Sequence, residues 1–365
     1  MKTKYIFTTL IFASVFSFAQ SVKSLPPGGN KKAITAEQIG ITDVTINYDR
    51  PGVKGREGKI YGTDIVHTGY ENLGFGTSKA APWRAGANEN TTIEFSTHVK
   101  IEGKELAAGK YGFFVAYDAN ECTLIFSKNS TSWGSYFYDD KEDALRVKVK
   151  PVALDKSVER LKYEFMNQTD NSAVVALQWE KLSIPFKVEV DLVNTQLDNL
   201  RLALRNKDGF KWETTQHAAS ICLQNNTNLE EGLQWSNDAI SFEKNFTTLT
   251  TNAGLLEKLG KKEKADSTMK AAYTIGSMTE LHQYGRMLLS QKKNKEALEV
   301  FQLNAKKNPK QYTTYAGLTR GYSATGDYKT ALVNAKAALA SAPDDLNKKS
   351  VQSMIDKLQK GQDVN

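Results

Sequence analysis

The sequence contains few of the residues from which metal centres and disulfide frameworks are built. Of 365 residues, two are cysteines and four are histidines, and they form no CxxC, HxH or HExxH pair. Metal sites normally use such closely spaced ligands, so we predict neither a metal site nor a cofactor. Cys122 stands in a strand-like run and Cys222 in a helical one, which favours two separately buried thiols over a disulfide.

Motifs typical of catalysis are missing as well. There is no GxSxG nucleophile elbow and no GxxxxGK phosphate loop, and the GFG at residues 74–76 lacks the strand-to-helix context of a nucleotide-binding turn. The sequence therefore names no reaction. Whether the protein is an enzyme stays open, with a non-catalytic role favoured.

The charge pattern does not indicate a nucleic-acid partner. Lysine and arginine total 48 against 41 acidic residues, a net charge of +7, which falls to +5 without Lys2 and Lys4. The other lysines are scattered, and several stand beside glutamates at predicted helix ends. A nucleic-acid groove needs clustered basic residues with interleaved aromatics, so we interpret these charges as solvated helix faces.

Long hydrophobic runs are limited to the N-terminus. Lys2 and Lys4 precede an apolar stretch at residues 5–18, and residues 17–19 form a small-x-small cleavage signal. This stretch is shorter than the ~20 residues that span a bilayer, so residues 1–19 are predicted to be a cleaved signal peptide. No later run is apolar enough to span a membrane, and no cysteine follows the signal to accept a lipid. We therefore expect a periplasmic or secreted protein.

The first half of the chain has the pattern of β-strands. After a turn-rich linker at residues 20–31, residues 32–190 show period-two alternation, as in Val44, Ile46 and Tyr48. Nine or ten strands with no helices between them favour an antiparallel β-sandwich or barrel and exclude a parallel α/β sheet. The predicted strands include one at 133–138 and two successive strands at 173–179 and 182–190.

Beyond residue 190 the apolar period changes to three and four. Residues 191–209 are predicted to form a connecting helix that ends at Gly209. Helical hairpins follow over residues 210–345, and residues 346–365 form a capping helix and tail. The small residue that opens each second helix recurs after 33, 32 and 34 residues, at Gly232, Ala265, Ala297 and Ala331. This period resembles the tetratricopeptide repeat, closely in the last two copies and loosely in the first two. The predicted fold class is thus an all-β domain followed by all-α helical-hairpin repeats.

Five sequence blocks in the strand-rich half resemble one known family. They are RPGVKGRE, PWRAGANENTT, LAAGKYGFF, SWGSYFYD and ALRVKVKP, in that order. They are similar to the signature blocks of the domain of unknown function 2911 family of exported bacterial proteins, over residues 24–190. The resemblance implies a strand-rich module that tetratricopeptide-like repeats sometimes follow, and it implies no reaction. The long segment before Pro82 departs from the family pattern, so the resemblance does not extend to the shape of the neighbouring loop.

These blocks also contain the candidate ligand-binding residues. The ten candidates are Arg50, Arg56, Trp83, Arg84, Asn88, Glu89, Lys110, Tyr111, Trp133 and Tyr136. An arginine fork, an aromatic face and an amide suit a carboxylated or sugar-like ligand. Alternatively, Arg84 pairs with a buried carboxylate such as Glu89 or Asp139, and Trp83 closes the end of the sandwich. The structural alternative is favoured for the segment 83–89.

Two functions from different classes follow. The leading hypothesis is an exported, non-catalytic binding or scaffold protein. Its sandwich would bind a small polar or sugar-like ligand or a partner, and its repeats would contact an envelope protein or peptide. The alternative is a periplasmic hydrolase or sugar-acting enzyme with its site at Arg50, Arg56, Arg84, Asn88 and Glu89. Asp139, Asp140 and Glu89 are its conceivable acid and base groups, although nothing in the sequence fixes their separation.

Overall fold

The computed structural model describes residues 27–365, so the predicted signal peptide and most of the predicted linker lie outside the described residues. The chain divides into two compact units between Thr195 and Gln196, shortly after the predicted change from strands to helices. The first unit contains strands and the second contains helices, which confirms the predicted fold class. Within residues 27–365, no helix is long and apolar enough to cross a membrane.

Two antiparallel sheets make up the first unit. The strands are β1 (Lys31–Ile39), β2 (Thr42–Arg50), β3 (Thr92–Phe95), β4 (Val99–Ile101), β5 (Lys104–Leu106), β6 (Gly109–Ala116), β7 (Cys122–Ser127), β8 (Asp143–Val149), β9 (Val152–Met166) and β10 (Ser172–Glu189). One sheet has six strands in the order β1-β2-β3-β6-β7-β8, and the other has four in the order β5-β4-β10-β9. Their inner faces share one hydrophobic core, so the unit is a β-sandwich.

Alternation in the sequence accounts for this core. In β2, Val44, Ile46 and Tyr48 are buried while Asp43 is exposed and Thr45 is half-buried, because successive side chains of a strand point to opposite faces. Aromatic rings from both sheets meet at the centre of the sandwich. They include Phe113 of β6, whose ring centroid lies 5.6 Å from that of Phe186 in β10.

The structure differs from two strand predictions. Residues 133–138 form turns instead of a strand, since Gly134 has a φ of +56° and the side chain of Asn129 accepts hydrogen bonds from the Thr131 and Ser132 amides. The strands predicted at 173–179 and 182–190 are one continuous strand, β10. Glu180 has a φ of +51° and lies at register shifts that bend β10 without ending its pairing with β9.

A long segment, residues 51–91, connects β2 to β3 without forming a named strand. Trp83 pairs with Val115 of β6 through two main-chain hydrogen bonds of 3.0 and 2.8 Å. The segment therefore extends the sheet beside the second half of β6, beyond the reach of the short β3. Between this pairing and β3 the chain bulges outward, and Ala85 and Asn88 adopt positive φ values of 50° and 57°.

Helical hairpins build the second unit. The helices are α1 (Leu192–Ala203), α2 (Trp212–Asn225), α3 (Leu229–Phe242), α4 (Phe246–Lys258), α5 (Lys262–Ile275), α6 (Met278–Ser290), α7 (Asn294–Lys307), α8 (Tyr312–Ala324), α9 (Tyr328–Ala340) and α10 (Asp345–Gln359). The pairs are α2 with α3, α4 with α5, α6 with α7 and α8 with α9, and α10 packs on α9. All four predicted pairs thus form hairpins, including the two that match the repeat pattern loosely.

The small residues have the predicted packing role. Gly232, Ala265, Ala297 and Ala331 are all buried where paired helices cross. A Cβ on Gly232 would lie 2.6 Å from the Cβ of Cys222, so a larger side chain could not fit there. Cys122 and Cys222 are both buried and unbonded, which confirms two separate thiols.

The predicted end of the connecting helix is wrong. The helix α1 ends at Ala203, and Gly209 lies six residues later in a 3-10 turn at Lys207–Phe210. A Cβ on Gly209 would lie 2.1 Å from the Leu204 carbonyl oxygen. The glycine is therefore required by the close approach of this turn to the end of α1, and it does not terminate the helix itself.

One aromatic ring holds the last two hairpins together. Phe301 of α7 is 1% exposed and packs where three glycines of α6 and α8 remove side-chain bulk. A Cβ on Gly285, Gly317 or Gly321 would lie 2.5, 2.6 or 2.9 Å from an atom of this ring. Such distances require the ring to move, so these glycines set the separation of the helices.

We expect Gly317→Ala to lower the free energy of unfolding by about 1–3 kcal/mol, as overpacked cores do. This loss should appear although alanine favours a helix over glycine by about 1 kcal/mol. Urea denaturation of the full chain measures it, with the exposed α6 substitution Gln283→Ala as the control. Adding Phe301→Leu to Gly317→Ala should recover part of the loss. An unchanged or raised stability of Gly317→Ala would show that the ring does not need the space.

Candidate functional site

Two of the candidate arginines hold main chain at one end of the sandwich. The Nε of Arg50 donates to the Leu161 carbonyl at 2.8 Å and thereby ties the end of β2 to β9. The Nε and Nη2 of Arg56 donate to the carbonyls of Val53 and Gly52, at 2.9 and 2.7 Å. Both side chains are half-buried. These bonds order the turn that follows β2.

Arg84 closes its own loop. Its Nη1 donates to the Asn88 carbonyl at 2.6 Å, and its guanidinium carbon lies 4.9 Å from the centre of the Tyr136 ring. Gly134 makes room for it, since a Cβ there would lie 2.3 Å from the guanidinium. The half-buried Arg84 thus fixes the contact between the outward bulge at 84–90 and the turns at 133–138.

The carboxylate partner expected for Arg84 is wrong. Among residues 27–365, neither Glu89 nor Asp139 forms an ion pair with Arg84. Glu89 is bonded instead to Lys32 of β1, and Asp139 accepts a hydrogen bond from the Lys141 amide, where it caps the 3-10 turn at Asp140–Glu142. The Asn88 carbonyl is nearer to Arg84, because the positive-φ residues of the bulge turn it back on itself.

Trp83 is a core residue. It is 5% exposed and its ring stacks on Trp179 of β10 at a centroid distance of 6.2 Å. The Tyr61 ring makes a T-shaped contact with it at a centroid distance of 6.3 Å. The main-chain pairing with Val115 holds it in this position. Its aromatic face is consequently covered by protein and is not available to a ligand.

Glu89 belongs to a charged cluster on the outer face of the six-stranded sheet. Lys32 contacts both Glu89 and Asp49, the latter at 3.6 Å. Asp49 is 3% exposed, and its Oδ1 has no hydrogen-bond partner among the described residues. Burial and the neighbouring Glu89 raise the pKa of Asp49 to about 6. The hydrogen bond from Lys32 holds the pKa of Glu89 below its usual value.

The other candidates do not join these residues. Lys110 is exposed and pairs across the sheet with Glu94, five residues along β6 from Val115, or about 17 Å at ~3.3 Å per residue. Tyr111 is buried and donates to the Ala107 carbonyl at 2.9 Å. Trp133 is 46% exposed in the turns beside Tyr136. The ten candidates are therefore spread over the inner face, the outer face and the rim, and only Arg84, Asn88 and Tyr136 meet.

A different group of residues surrounds a cavity of about 480 Å³. Its lining residues are Tyr70, Thr77, Ser78, Lys79, Ala80, Tyr138, Asp139, Asp140 and Arg146. We call this space the outer cleft, because Arg146 stands on the outer face of β8 opposite Ile125 of β7. The opposite side of the cleft comes from the segment 70–80, which the Ser78 amide anchors to the Tyr136 carbonyl at 3.0 Å.

A three-membered network forms one wall of the outer cleft. The Nε of Arg146 donates to Asp143 Oδ2 at 2.6 Å and its Nη2 donates to the Tyr138 hydroxyl at 2.8 Å. The Tyr138 hydroxyl in turn donates to the same carboxylate oxygen at 2.8 Å. Tyr138 is buried against Phe114 of β6, so the network rests on a small hydrophobic cluster outside the main core.

Burial controls the charges of this network. It raises the pKa of the Asp143 carboxyl, and the hydrogen bonds from Tyr138 and Arg146 oppose that rise. Burial likewise raises the pKa of Tyr138, which therefore keeps its proton. The Oδ1 of Asp143 has no partner among residues 27–365. The side chain of Arg146 remains 41% exposed, and the ring of Tyr70 lies 5.9 Å from its guanidinium carbon.

Sequence reasoning missed most of the outer cleft. The sequence offers Asp139 and Asp140 as conceivable acid and base groups. Arg146, in contrast, has the pattern of an ordinary solvent-facing residue of β8, followed by the buried Val147 and Val149. Tyr70 and Lys79 belong to the segment that departs from the family pattern. The one available signal in the sequence is the block ALRVKVKP, which contains Arg146 and is one of the five blocks that resemble the family.

Solved structures of tetratricopeptide-repeat proteins align with the helical unit. One is YrrB, described as a tetratricopeptide-repeat protein with an unusual peptide-binding site. It is 16% identical in sequence, and the alignment covers 44% of this chain and 84% of YrrB with a TM-score of 0.27. MamA from Desulfovibrio magneticus RS-1 is 17% identical over 41% of this chain and 93% of its own, with a TM-score of 0.25. A tetratricopeptide repeat protein from Parabacteroides merdae is 17% identical, and the alignment covers 47% of this chain and 70% of that protein with a TM-score of 0.29.

No curated protein matches the sequence. The strand unit, in contrast, has a family match that begins just before β1 and ends within β10. Residues 30–188 match the model of the family described as Protein of unknown function (DUF2911), which confirms the resemblance of the five sequence blocks.

Proposed function

We propose that this protein is an exported, non-catalytic binding protein. Its sandwich holds a small carboxylated or sugar-like ligand in the outer cleft, and its helical repeats contact an envelope protein or peptide. The observation that carries the proposal is the position of Arg146, whose guanidinium is fixed on one side by Asp143 and Tyr138 and exposed to the cleft at the other.

The chemistry of Arg146 suits a carboxylate. A guanidinium has five N–H donors in a fixed planar fork, and the network uses only the Nε and one Nη2 bond. The Nη1 of Arg146 forms no hydrogen bond within residues 27–365. Because its orientation is set by buried neighbours before a ligand arrives, little side-chain entropy is lost on binding. Charge-assisted pairing of this kind is strong and directional.

The remaining lining of the outer cleft supports a polar ligand of small size. Lys79 adds a second positive charge, while Asp139 and Asp140 supply acceptors for hydroxyl or amine groups. Tyr70 is 41% exposed and offers a ring face on which a sugar could stack. A volume of about 480 Å³ is within the ordinary range for small-molecule sites. A uronic acid combines these features, since it carries a carboxylate, several hydroxyls and an apolar ring face.

The helical unit supports the second part of the proposal. Stacked hairpins expose successive helix faces in register, and arrays of this kind commonly provide extended surfaces for protein contacts. The first helices of neighbouring hairpins, α2 with α4 and α6 with α8, lie side by side. Such a surface can accept an extended peptide along several repeats.

One observation favours catalysis as a second candidate. Asp49 and Glu89 are neighbouring carboxyl groups, and a buried carboxyl with a pKa near 6 could donate a proton at neutral pH. This pair includes Glu89 of the predicted enzyme site. Two observations oppose a catalytic role. Lys32 bridges the two carboxyl groups, and the arginines of the predicted enzyme site, Arg50, Arg56 and Arg84, donate to main-chain carbonyls. The arrangement is therefore better suited to joining β1 to the bulge at 84–90.

Replacement of Arg146 tests the ligand site. We expect D-glucuronate to bind the full chain in isothermal titration calorimetry and D-glucose, which lacks the carboxylate, to bind at least ~10-fold more weakly, as the loss of a charge-assisted hydrogen bond implies. Arg146→Met should abolish that preference. Lys79→Met, which leaves the network of Arg146 intact, should weaken glucuronate binding without lowering the melting temperature.

The matched control for this test is Arg50→Met. It removes the same charge from a residue outside the cleft lining and outside the turns at 133–138, so it should leave glucuronate binding unchanged even where it weakens the tie between β2 and β9. Equal affinities for glucuronate and glucose, or equal losses in Arg50→Met and Arg146→Met, would reject the proposed site.

The pH dependence of stability tests the state of Asp49. Its pKa rises from 3.8 to about 6 on folding, so between these values the folded chain keeps a proton that the unfolded chain has lost. The free energy of unfolding should therefore fall as the pH rises from about 4 to about 6 and change little above that. Asp49→Asn should remove this decline, so that its stability relative to the native chain improves from pH 4.5 to pH 7.

Urea unfolding at several pH values measures this effect, and Glu37→Gln, an exposed substitution on β1, is the control. Because Glu89 has a lowered pKa, its own contribution is lost as the pH falls below about 4.5, outside this window. If Asp49 is a catalytic acid, hydrolysis of p-nitrophenyl glycosides should show an inflection near pH 6 that Asp49→Asn removes. A stability difference that is flat between pH 4.5 and 7 would contradict the raised pKa.

A further inference from the structure

The long strand β10 folds back on itself. Its 18 residues would span about 60 Å if the strand were straight, at ~3.3 Å per residue. Instead, the Val190 amide, directly after β10, donates to the Asn171 carbonyl, directly before it, at 2.8 Å. The midpoint of the bend is Glu180, whose positive φ and flanking register shifts interrupt the regular pairing with β9. The two halves of β10 are therefore brought together.

The strand β9 follows the outside of this bend. Between the pairs Gln178–Lys162 and Leu182–Ala153, β10 advances by four residues and β9 by nine, so β9 takes the longer path. A cavity of about 440 Å³ is lined by residues of both halves of β10 and of both ends of β9, and we call it the bend cavity. Its volume is within the ordinary range for small-molecule sites.

The walls of the bend cavity are mainly apolar. They include Val152, Leu154, Met166, Val174 and Pro185. Among the described residues, none of these five belongs to the main hydrophobic core of the sandwich. Val152 is 52% exposed and the other four are half-buried. Part of their apolar surface is thus still in contact with water, and a hydrocarbon group in the cavity would bury it favourably.

Two buried polar side chains also line the bend cavity. Gln178 is 8% exposed and Ser183 is 5% exposed. Within residues 27–365, the Gln178 side chain makes one hydrogen bond, from its Nε2 to the Met166 sulfur at 3.7 Å, and a thioether is a weak acceptor. The Ser183 hydroxyl makes none there, whereas the buried Ser172 hydroxyl of the same strand bonds to Thr169 at 2.8 Å. Since buried polar groups are normally bonded, Gln178 and Ser183 have unused capacity that a ligand can satisfy.

The charged residues of the lining are already engaged. Glu102 accepts a hydrogen bond from the Lys187 amide at 2.6 Å, and the Lys187 ammonium donates to Glu189 at 2.7 Å. These two lining residues carry opposite charges, so they give the cavity no net charge. An ionic group without a charged partner is costly to withdraw from water. The lining therefore favours a ligand whose polar group is uncharged.

We propose that the bend cavity binds a medium-chain acyl or alkyl compound with an uncharged, hydroxyl-bearing head group. The chain covers the apolar walls, and the head group bonds to Gln178 and Ser183, both of which can donate and accept. Water alone satisfies the polar groups but leaves the walls wet, and a pure hydrocarbon does the reverse. An amphipathic ligand does both. The bend cavity shares no lining residue with the outer cleft, so this proposal does not depend on the carboxylate site.

Displacement of the neutral dye N-phenyl-1-naphthylamine from the full chain tests the proposal. We expect the dye fluorescence to rise on binding and 1-octanol to displace the dye with a saturable curve. Octanoate has the same chain length but a charged head group at neutral pH, so it should compete at least ~10-fold more weakly. The shorter 1-butanol should also compete at least ~10-fold more weakly, because fewer methylene groups are buried.

The variant Gln178→Leu separates the head-group contacts from the walls. It removes the amide and keeps an apolar side chain, so 1-octanol should bind about 3- to 10-fold more weakly while the dye affinity is retained. Its melting temperature should be no lower than that of the native chain, because a poorly bonded buried amide is removed. The matched control is Gln168→Leu, the same change at an exposed residue between β9 and β10, which should keep the native affinity for 1-octanol.

The variant Leu154→Trp tests the walls. The larger ring occupies the bend cavity, so the dye and 1-octanol should both bind at least ~10-fold more weakly. Its control is Ala153→Trp, which places the same ring on the opposite face of β9, outside the lining, and should bind both compounds normally. Melting curves of the two variants verify that each is folded.

Several outcomes would overturn the proposal. They are equal losses in the two members of either variant pair, competition by octanoate as strong as that by 1-octanol, or a clearly lower melting temperature of Gln178→Leu, which would make the amide a structural group. Sedimentation velocity covers another occupant of the cavity. A native dimer that Leu154→Trp dissociates would identify a contact between two copies of the chain and would reject the ligand.

Discussion

The geometry of the sandwich depends on one main-chain carbonyl that points into the core. Ala85 adopts a positive φ, and its carbonyl accepts hydrogen bonds from the buried Tyr163 hydroxyl at 2.8 Å and from the Thr91 hydroxyl at 3.2 Å. A buried carbonyl without partners would cost on the order of 1–3 kcal/mol. Tyr163 is fixed in β9, and Thr91 stands directly before β3 with its carbonyl bound by the Phe113 amide. The chain therefore has to leave the sheet after Ala85 and return at Thr91. The bulge at 84–90 is the consequence, and the interactions of Arg84, Asn88 and Glu89 follow from it.

The same constraint accounts for the place of the outer cleft. Because Trp83 pairs with Val115, the segment before it must run along the sheet and cross its outer face on the way. Arg84 holds the turns at 133–138 from one side, and the Ser78 amide holds them from the other through Tyr136. Tyr138 is thereby placed over Phe114 and within reach of Arg146. The cleft is thus a product of how the long connection is anchored, and its polar lining does not come from any single motif.

The local parts of this fold were predictable from the sequence, whereas the site was not. The alternation in β2 indicates which side chains of that strand are buried, and the small residues indicate where paired helices cross. Both signals lie within a single element or hairpin, and the structure confirms both. The segment 133–138 has the aromatic content of a strand, but the side chain of Asn129 and the positive φ of Gly134 give it turns. Arg146 has its partners eight and three residues earlier in the chain. Tyr70 and Lys79 reach it through main-chain pairings of the long connection, of Gly69 with Tyr117 and Ser78 with Tyr136 as well as Trp83 with Val115. A contact that depends on such a distant pairing leaves no periodic signal in the sequence.

The surroundings of each arginine separate structural positions from candidate binding positions better than its neighbours in sequence do. Arg50, Arg56 and Arg84 stand in conspicuous glycine-rich blocks, but each donates to main-chain carbonyls of its own fold and none of them lines the outer cleft. Arg146 stands in an ordinary strand, and its network holds one side of the guanidinium while the other faces a cavity. A guanidinium that the protein orients in advance and leaves open to a cavity can receive an anionic ligand with little loss of side-chain entropy. This is the physical reason to expect such a ligand at Arg146 and not at the other three arginines.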